Sequence, residues 1–148
     1  MVRLEERMVV HAPVETVFEY MSRFENDAQW RDEVLDSRRM TPTEHGVGER
    51  YEQLMTVDGH QIRVDFEVTQ YEQNRRLGFR GTAGDVSARG TYDLTARQDG
   101  TTAVDVSAEI NVSGALEATE PYIVEVVSLA GRRDLQHLAE LLDTEPPG

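Results

Sequence analysis

Few side chains in this sequence stand at spacings that could do chemistry. The four histidines, His11, His45, His60 and His137, lie at no metal-ligand spacing from one another. His45 and His60 flank opposite ends of one expected strand, and at about 3.3 Å per residue they are too far apart to share an ion. No metal site and no cofactor are expected. Asp65 and Glu67 are paired carboxylates in appearance only, since they share a wet strand face with Arg63 and are expected to make cross-strand ion pairs. Serine, histidine and aspartate are all present, but no nucleophile-elbow sequence holds a serine, so no catalytic residue is assigned.

Two polar residues are more informative. Gln53 falls on the apolar side of its expected strand. A buried amide costs a few kcal/mol unless it is paired, so it should find Tyr51, Tyr92 or a ligand. Arg133 follows an apolar stripe of the last helix. It either brings a guanidinium to a cavity rim, to hold a carboxylate or phenolate, or lies at the edge with its head in water.

Composition removes whole classes of function. The chain contains 15 basic and 28 acidic residues, for a formal net charge of -13, which repels phosphate-rich partners and argues against nucleic acid. All the basic residues are arginine, which excludes lysine Schiff bases and a Walker lysine. Salt adaptation and genome composition explain that balance equally well. Cysteine is absent, so disulfides, thiolate nucleophiles and zinc-thiolate sites are out. MVRLEERMVV is too charged for a signal peptide, and no segment approaches about 18 uninterrupted apolar residues. A cytoplasmic protein with no membrane span is expected, the oligomeric state open between monomer and homodimer.

The elements that must position these residues follow from periodicity. Leu4, Met8 and Val10 mark a first strand over residues 2–11. Ala12-Pro13 starts a short helix whose buried face is Val14, Val17, Phe18 and Met21, with Pro13 at the first helical position. Asn26 is expected to cap a second short helix carrying Trp30, with Gln29 completing a capping box. From Val34 the period becomes two, most plainly in IRVDFEV, where Ile62, Val64, Phe66 and Val68 alternate with charged residues. Asp58-Gly59, Asp99-Gly100 and the looser Gln73-Asn74-Arg75 separate strands as turns, giving six strands in an antiparallel meander. Glu120-Pro121 opens a long helix to about Leu142. One of its stripes holds Tyr122, Val126, Leu129 and Arg133; the neighbouring one holds Val127, Gly131, Leu135, Leu138 and Leu142. The chain divides into one domain, 1–143, and a frayed tail, 144–148. Segregated helices and strands make the class α+β.

With these elements in place, the segment V-x-A-P-x-E-x-V-F at residues 10 to 18 resembles the start of the START/polyketide-cyclase (SRPBCC) superfamily. The resemblance continues through FENDAQW, GVGERY, FEVTQYEQNRRLGFR, GTYDL, SGALE and RRDLQHLAELL, and so covers nearly the whole chain. It implies a helix-grip fold, similar to birch-pollen-allergen-like proteins: a seven-stranded antiparallel sheet wrapped around the C-terminal helix, two short helices between strands 1 and 2, and a cavity between sheet and helix. It carries over no catalytic signature.

If the sheet cups a cavity, alternation predicts the lining: Tyr51, Gln53, Met55, Val64, Phe66, Phe79, Tyr92, Val106 and Ala108 from the sheet, with Tyr122, Val126, Leu129 and Arg133 from the helix. The same side chains could simply fill the core. Gly81, Ala83, Gly84, Ala88 and Gly90 either leave room for a ligand or permit strong bending, and GTAGDV is a candidate gate. Trp30, the single tryptophan, is expected to plug one end of the sheet with its N–H on a carbonyl, the inner ring edge joining the cavity wall. The first function expected is binding or carriage of a small hydrophobic or amphipathic molecule, a lipid, polyketide or aromatic. A polyketide cyclase/dehydratase-type enzyme, and an interaction module with a vestigial cavity, are the alternatives. The enzyme requires two or more polar groups converging inside; a carrier needs one.

Overall fold

The computed structural model describes residues 2–41, 44–57, 59–114, 118 and 120–143. β1 (Val2–Val10) leads into α1 (Val14–Ser22), a 3-10 turn (Phe24–Asn26) and α2 (Asp27–Trp30). Then come β2 (Val34–Arg39), β3 (Arg50–Val57), β4 (His60–Glu72), β5 (Arg76–Ala83), β6 (Val86–Ala96) and β7 (Thr102–Val112), followed by α3 (Glu120–Leu141). The strands form one antiparallel seven-stranded sheet in the order β1-β7-β6-β5-β4-β3-β2. It is a helix-grip fold.

The alternation read in the sequence sets which face is buried. Phe66 and Val68 of β4, Leu77 of β5, Tyr92 and Leu94 of β6 and Val104 of β7 all point inward and are nearly inaccessible. The outer face is an ion-pair ladder. Arg80 meets Glu67 at 2.7 Å, Arg89 meets Glu109 at 2.9 Å and Arg63 meets Glu52 at 3.6 Å. Glu67 and Arg63 thus pair across strands as expected.

Gly90 bears on sheet curvature. A Cβ there would lie 2.3 Å from the Ser107 carbonyl oxygen and 3.0 Å from the Phe79 ring. The missing side chain lets β6 and β7 close on each other and the ring settle against the backbone, so this glycine serves packing. Gly84, in the turn between β5 and β6, has φ 58, which a glycine adopts without strain.

Three local expectations are corrected. Pro13 is the N-cap of α1, with ψ 151, and Val14 is the first helical residue. Asn26 makes no cap to α2: its Nδ2 donates to the Tyr20 carbonyl at 2.9 Å, and Gln29 accepts from the Tyr20 hydroxyl at 2.8 Å. Tyr20 thus uses both residues of the expected capping box, tying α1 to α2. On α3 Leu135 and Leu138 are buried, whereas Tyr122 and Leu129 are about half exposed. Asp58 and the tail 144–148 lie outside the described residues. No helix among the described residues is long and apolar enough to cross a membrane.

Candidate functional site

The interior polar groups gather where α2 meets α3 over the sheet. Asp27 opens α2 and is 1% exposed; Arg31 follows one turn later, so the helical repeat brings its Nη1 to 3.2 Å from Asp27 Oδ2. The same carboxylate oxygen accepts from Gln53 Nε2 of β3 at 2.8 Å, and Gln53 Nε2 also reaches Ser37 Oγ of β2 at 3.2 Å. Ser37 in turn donates to the Phe24 carbonyl at 2.8 Å. Gln53 is therefore satisfied by Asp27, Ser37 and Arg31, not by Tyr51 or Tyr92 as expected. From α3, Asp134 accepts the Asp32 backbone N–H at 3.1 Å and lies 3.9 Å from Arg31 Nε.

Electrostatics mark this corner. Burial raises the pKa of Asp27, while Arg31 and the Gln53 hydrogen bond counter it. Asp134 is pushed up to about 6, chiefly by burial, with Arg31 opposing and Glu33 and Asp32 adding to the rise. Burial likewise drives the Tyr92 hydroxyl well above its ordinary value, and it feels the charges of Arg31, Asp27 and Asp134. Carboxylates are thus inward in this fold, where sequence inspection placed none.

From this corner an aromatic wall runs along the inner face of the sheet. Trp30 meets Tyr92 edge-on at 6.0 Å, Tyr92 meets Phe79 at 5.0 Å, Phe79 stacks on Phe66 at 5.5 Å, and Phe66 contacts Phe24 at 5.0 Å. Trp30 is 2% exposed, as a plug should be. Its Nε1 finds no carbonyl, however. It is buried and turned toward the Asp27 carboxylate, whose charge it helps to stabilise.

Beyond Phe66 lies a second polar knot. Glu49, its side chain fully enclosed, accepts from the Tyr51 hydroxyl and from Gly46 N at 3.0 Å, with His45 Nδ1 at 2.9 Å and Arg39 Nε at 3.0 Å. Tyr51 also lies 2.9 Å from Glu25. This knot pins the β2–β3 loop to the sheet.

The expected lining residues fall into three groups. Trp30, Tyr51, Gln53, Phe66 and Tyr92 are at most 4% exposed, the first four closed in by the partners just described. Met55, Val64, Phe79, Val106 and Ala108 are only half-buried and leave apolar inner surface uncovered. Tyr122 and Leu129 are half exposed and Arg133 is exposed; the side chain of Val126 lies outside the described residues. The guanidinium at the polar corner is that of Arg31. A groove of about 520 Å³ opens on the opposite, outer face, among Arg3, Arg80, Arg89 and Glu109, whose charges already pair with one another or with neighbours.

Asp27, Arg31, Glu49 and Asp134 escaped sequence inspection. One signal was present: Asp27 and Arg31 stand at i and i+4 around Trp30, the spacing of a helical ion pair. Asp134 gave none beyond its place beside Leu135.

Residues 1–143 match the family model described as polyketide cyclase / dehydrase and lipid transport. Among solved structures the chain is similar to the Zhui aromatase/cyclase from Streptomyces sp. R1128, at 13% identity and a TM-score of 0.85, over 96% of this chain and 93% of that one. It is similar to TTHA0849 from Thermus thermophilus, at 15% identity and 0.80, over 95% and 97% of the two chains. A START superfamily protein from Mycobacterium smegmatis follows at 15% and 0.72, over 95% and 94%. These likenesses are of fold. No curated protein matches the chain in sequence.

Proposed function

Since the chain belongs to the polyketide cyclase / dehydrase and lipid transport family, we propose that it binds a small hydrophobic or amphipathic molecule between the inner face of the sheet and α3. One observation carries this. The inner face keeps half-buried apolar side chains, Val64, Phe79, Val106 and Ala108, beside the buried polar corner of Asp27, Arg31 and Asp134. Burying that strip supplies affinity at about 25 cal/mol per Å², and the corner supplies orientation. A thermal-shift panel of lipids, polyketides and aromatic compounds tests it. Stabilisation by at least one class, lost in Phe79→Trp, supports the reading; no shift across the panel points to the interaction module with a vestigial cavity.

A second reading, a cyclase or dehydratase, is favoured by Asp134. A carboxyl pushed up to about 6, with Arg31 3.9 Å away, is suited to exchange a proton near neutral pH, while the guanidinium polarises a carbonyl. Turnover of a poly-carbonyl substrate that disappears in Asp134→Asn would establish it.

A further inference from the structure

The sheet ends on two edge strands, β1 and β2, and they are not alike. An edge strand offers unpaired N–H and C=O groups, which proteins blunt by shortness, by a bulge or by tying the strand to another element. β2 shows all of these. It is six residues long, its register with β3 shifts between Val34 and Asp36, and Ser37 Oγ ties it to the Phe24 carbonyl of the 3-10 turn at 2.8 Å. β1 is neither short nor bulged. Its nine residues run beside β7 without a shift, from Val2 opposite Ile110 to Val10 opposite Thr102. Among the described residues it pairs with no other strand.

An inward-pointing charge is another device that keeps an edge from pairing. Glu6 shares a face with Leu4 and Met8 and is such a charge, but α3 neutralises it: Arg132 Nε stands 3.0 Å from its carboxylate. The outward face carries Arg3, Glu5 and Arg7, all exposed. That order of signs discriminates between registers when β1 meets a copy of itself antiparallel. Inner residues stay opposite inner ones only in alternate registers. With Glu5 opposite its own copy, Arg3 faces Arg7 and every outward contact is repulsive. One such step along, with Glu6 on the two-fold axis, Glu5 faces Arg7 twice, Leu4 faces Met8 twice, and all nine residues are matched. The opposite step, with Leu4 on the axis, sets Arg3 against Glu5 but matches only residues 2–6.

We propose that β1 is a self-association edge: a second copy of the chain pairs with it antiparallel about a two-fold axis at Glu6, joining the two seven-stranded sheets into one. The contact is isologous, so each favourable pair occurs twice. Leu4 and Met8, half-buried in the single chain, cover each other across the join. The two Glu6 carboxylates at the axis each keep Arg132. A strand-to-strand contact is narrow, and each copy has a formal net charge of -13, so the dimer is reversible and not obligate.

Sedimentation velocity of the full chain tests this, at about 0.15 M salt, where repulsion between the net charges is screened beyond about 8 Å. A concentration-dependent monomer–dimer equilibrium is expected. Glu5→Arg alone and Arg7→Glu alone each set like charges opposite one another at both contacts, and each should weaken association at least about tenfold. An equimolar mixture of the two variants restores opposite charges at both contacts and should dimerise as wild type does. Arg7→Glu also gives up an exposed contact with Asp105 at 3.6 Å, so a second readout covers a failure of that variant to fold. Because the chain has no cysteine, Glu6→Cys places one thiol per copy at the axis, within the reach of a disulfide, and should cross-link under mild oxidation. Leu4→Cys, which faces Met8, should not. A wild type that stays monomeric at every concentration reached overturns the proposal. So does a mixture no more associated than its components, or cross-linking through Leu4→Cys in preference to Glu6→Cys.

Discussion

Arg31 and Asp27 are one helical turn apart, and their side chains meet at 3.2 Å with the carboxylate 1% exposed. The pair is the electrostatic centre of the interior, because Gln53 and Asp134 are both arranged around it. Removing one member of a buried pair costs far more than the pair contributes, since the survivor is left charged in low dielectric. Arg31→Met should therefore lower stability by about 3 to 5 kcal/mol, measured by urea denaturation. The double variant Arg31→Met/Asp27→Leu should recover much of that loss. A single variant within about 1 kcal/mol of wild type would show that solvent reaches Asp27.

Asp134 predicts a pH dependence of definite sign. Its ordinary value is 3.8 and its folded value is about 6, so between those values the folded state holds a proton that the unfolded chain has released. Stability should therefore fall as pH rises from about 4 to about 6 and be flat with respect to this group above that, a total of roughly 3 kcal/mol. Asp134→Asn should flatten the profile, because Asn keeps an acceptor for the Asp32 N–H. An unchanged slope in that variant would assign the effect to other carboxylates.

The glycines of β5 and β6 separate by what stands in front of them. Gly90→Ala places a Cβ 2.3 Å from a backbone oxygen, and Gly81→Ala places one 3.1 Å from the end of Val64. The first should cost at least about 2 kcal/mol and the second well under half as much. Thermal melts of both would decide, and equal losses would mean that β6 and β7 can separate freely.

Phe66 and Phe79 stack on each other at 5.5 Å, yet they differ in what an added ring would meet. Phe66 is 4% exposed among Phe24, Tyr51 and Phe79, so Phe66→Trp should overpack the core and cost roughly 1 to 3 kcal/mol. Phe79 is half-buried at the open part of the strip, so Phe79→Trp should fold nearly normally and lose ligand binding. Denaturation and thermal shift measured on both variants give the comparison. Equal stability losses would indicate a filled core.

Sequence was a good guide wherever one residue's face follows from its neighbours. The alternation in β4 put Val64, Phe66 and Val68 inside, and the periodicity of the last segment marked α3 to within a residue of its end. It failed where the outcome depends on two distant segments meeting. The stripe of α3 that turns inward is set by the approach of β1 and α2, and Asn26 leaves its expected cap because the Tyr20 carbonyl is within reach. The polar corner is of the same kind. Asp27, Gln53 and Asp134 lie far apart along the chain, each ordinary alone, and only the closing of α2 and α3 over the sheet makes them neighbours.

The central claim is that the half-buried strip between Tyr92 and Val64 holds a molecule. Native mass spectrometry of protein purified gently from its own host tests that most directly. Wild type should carry a bound small molecule that Phe79→Trp, purified in parallel, does not. A clean unliganded mass for wild type, together with no thermal shift across the ligand panel, would contradict it.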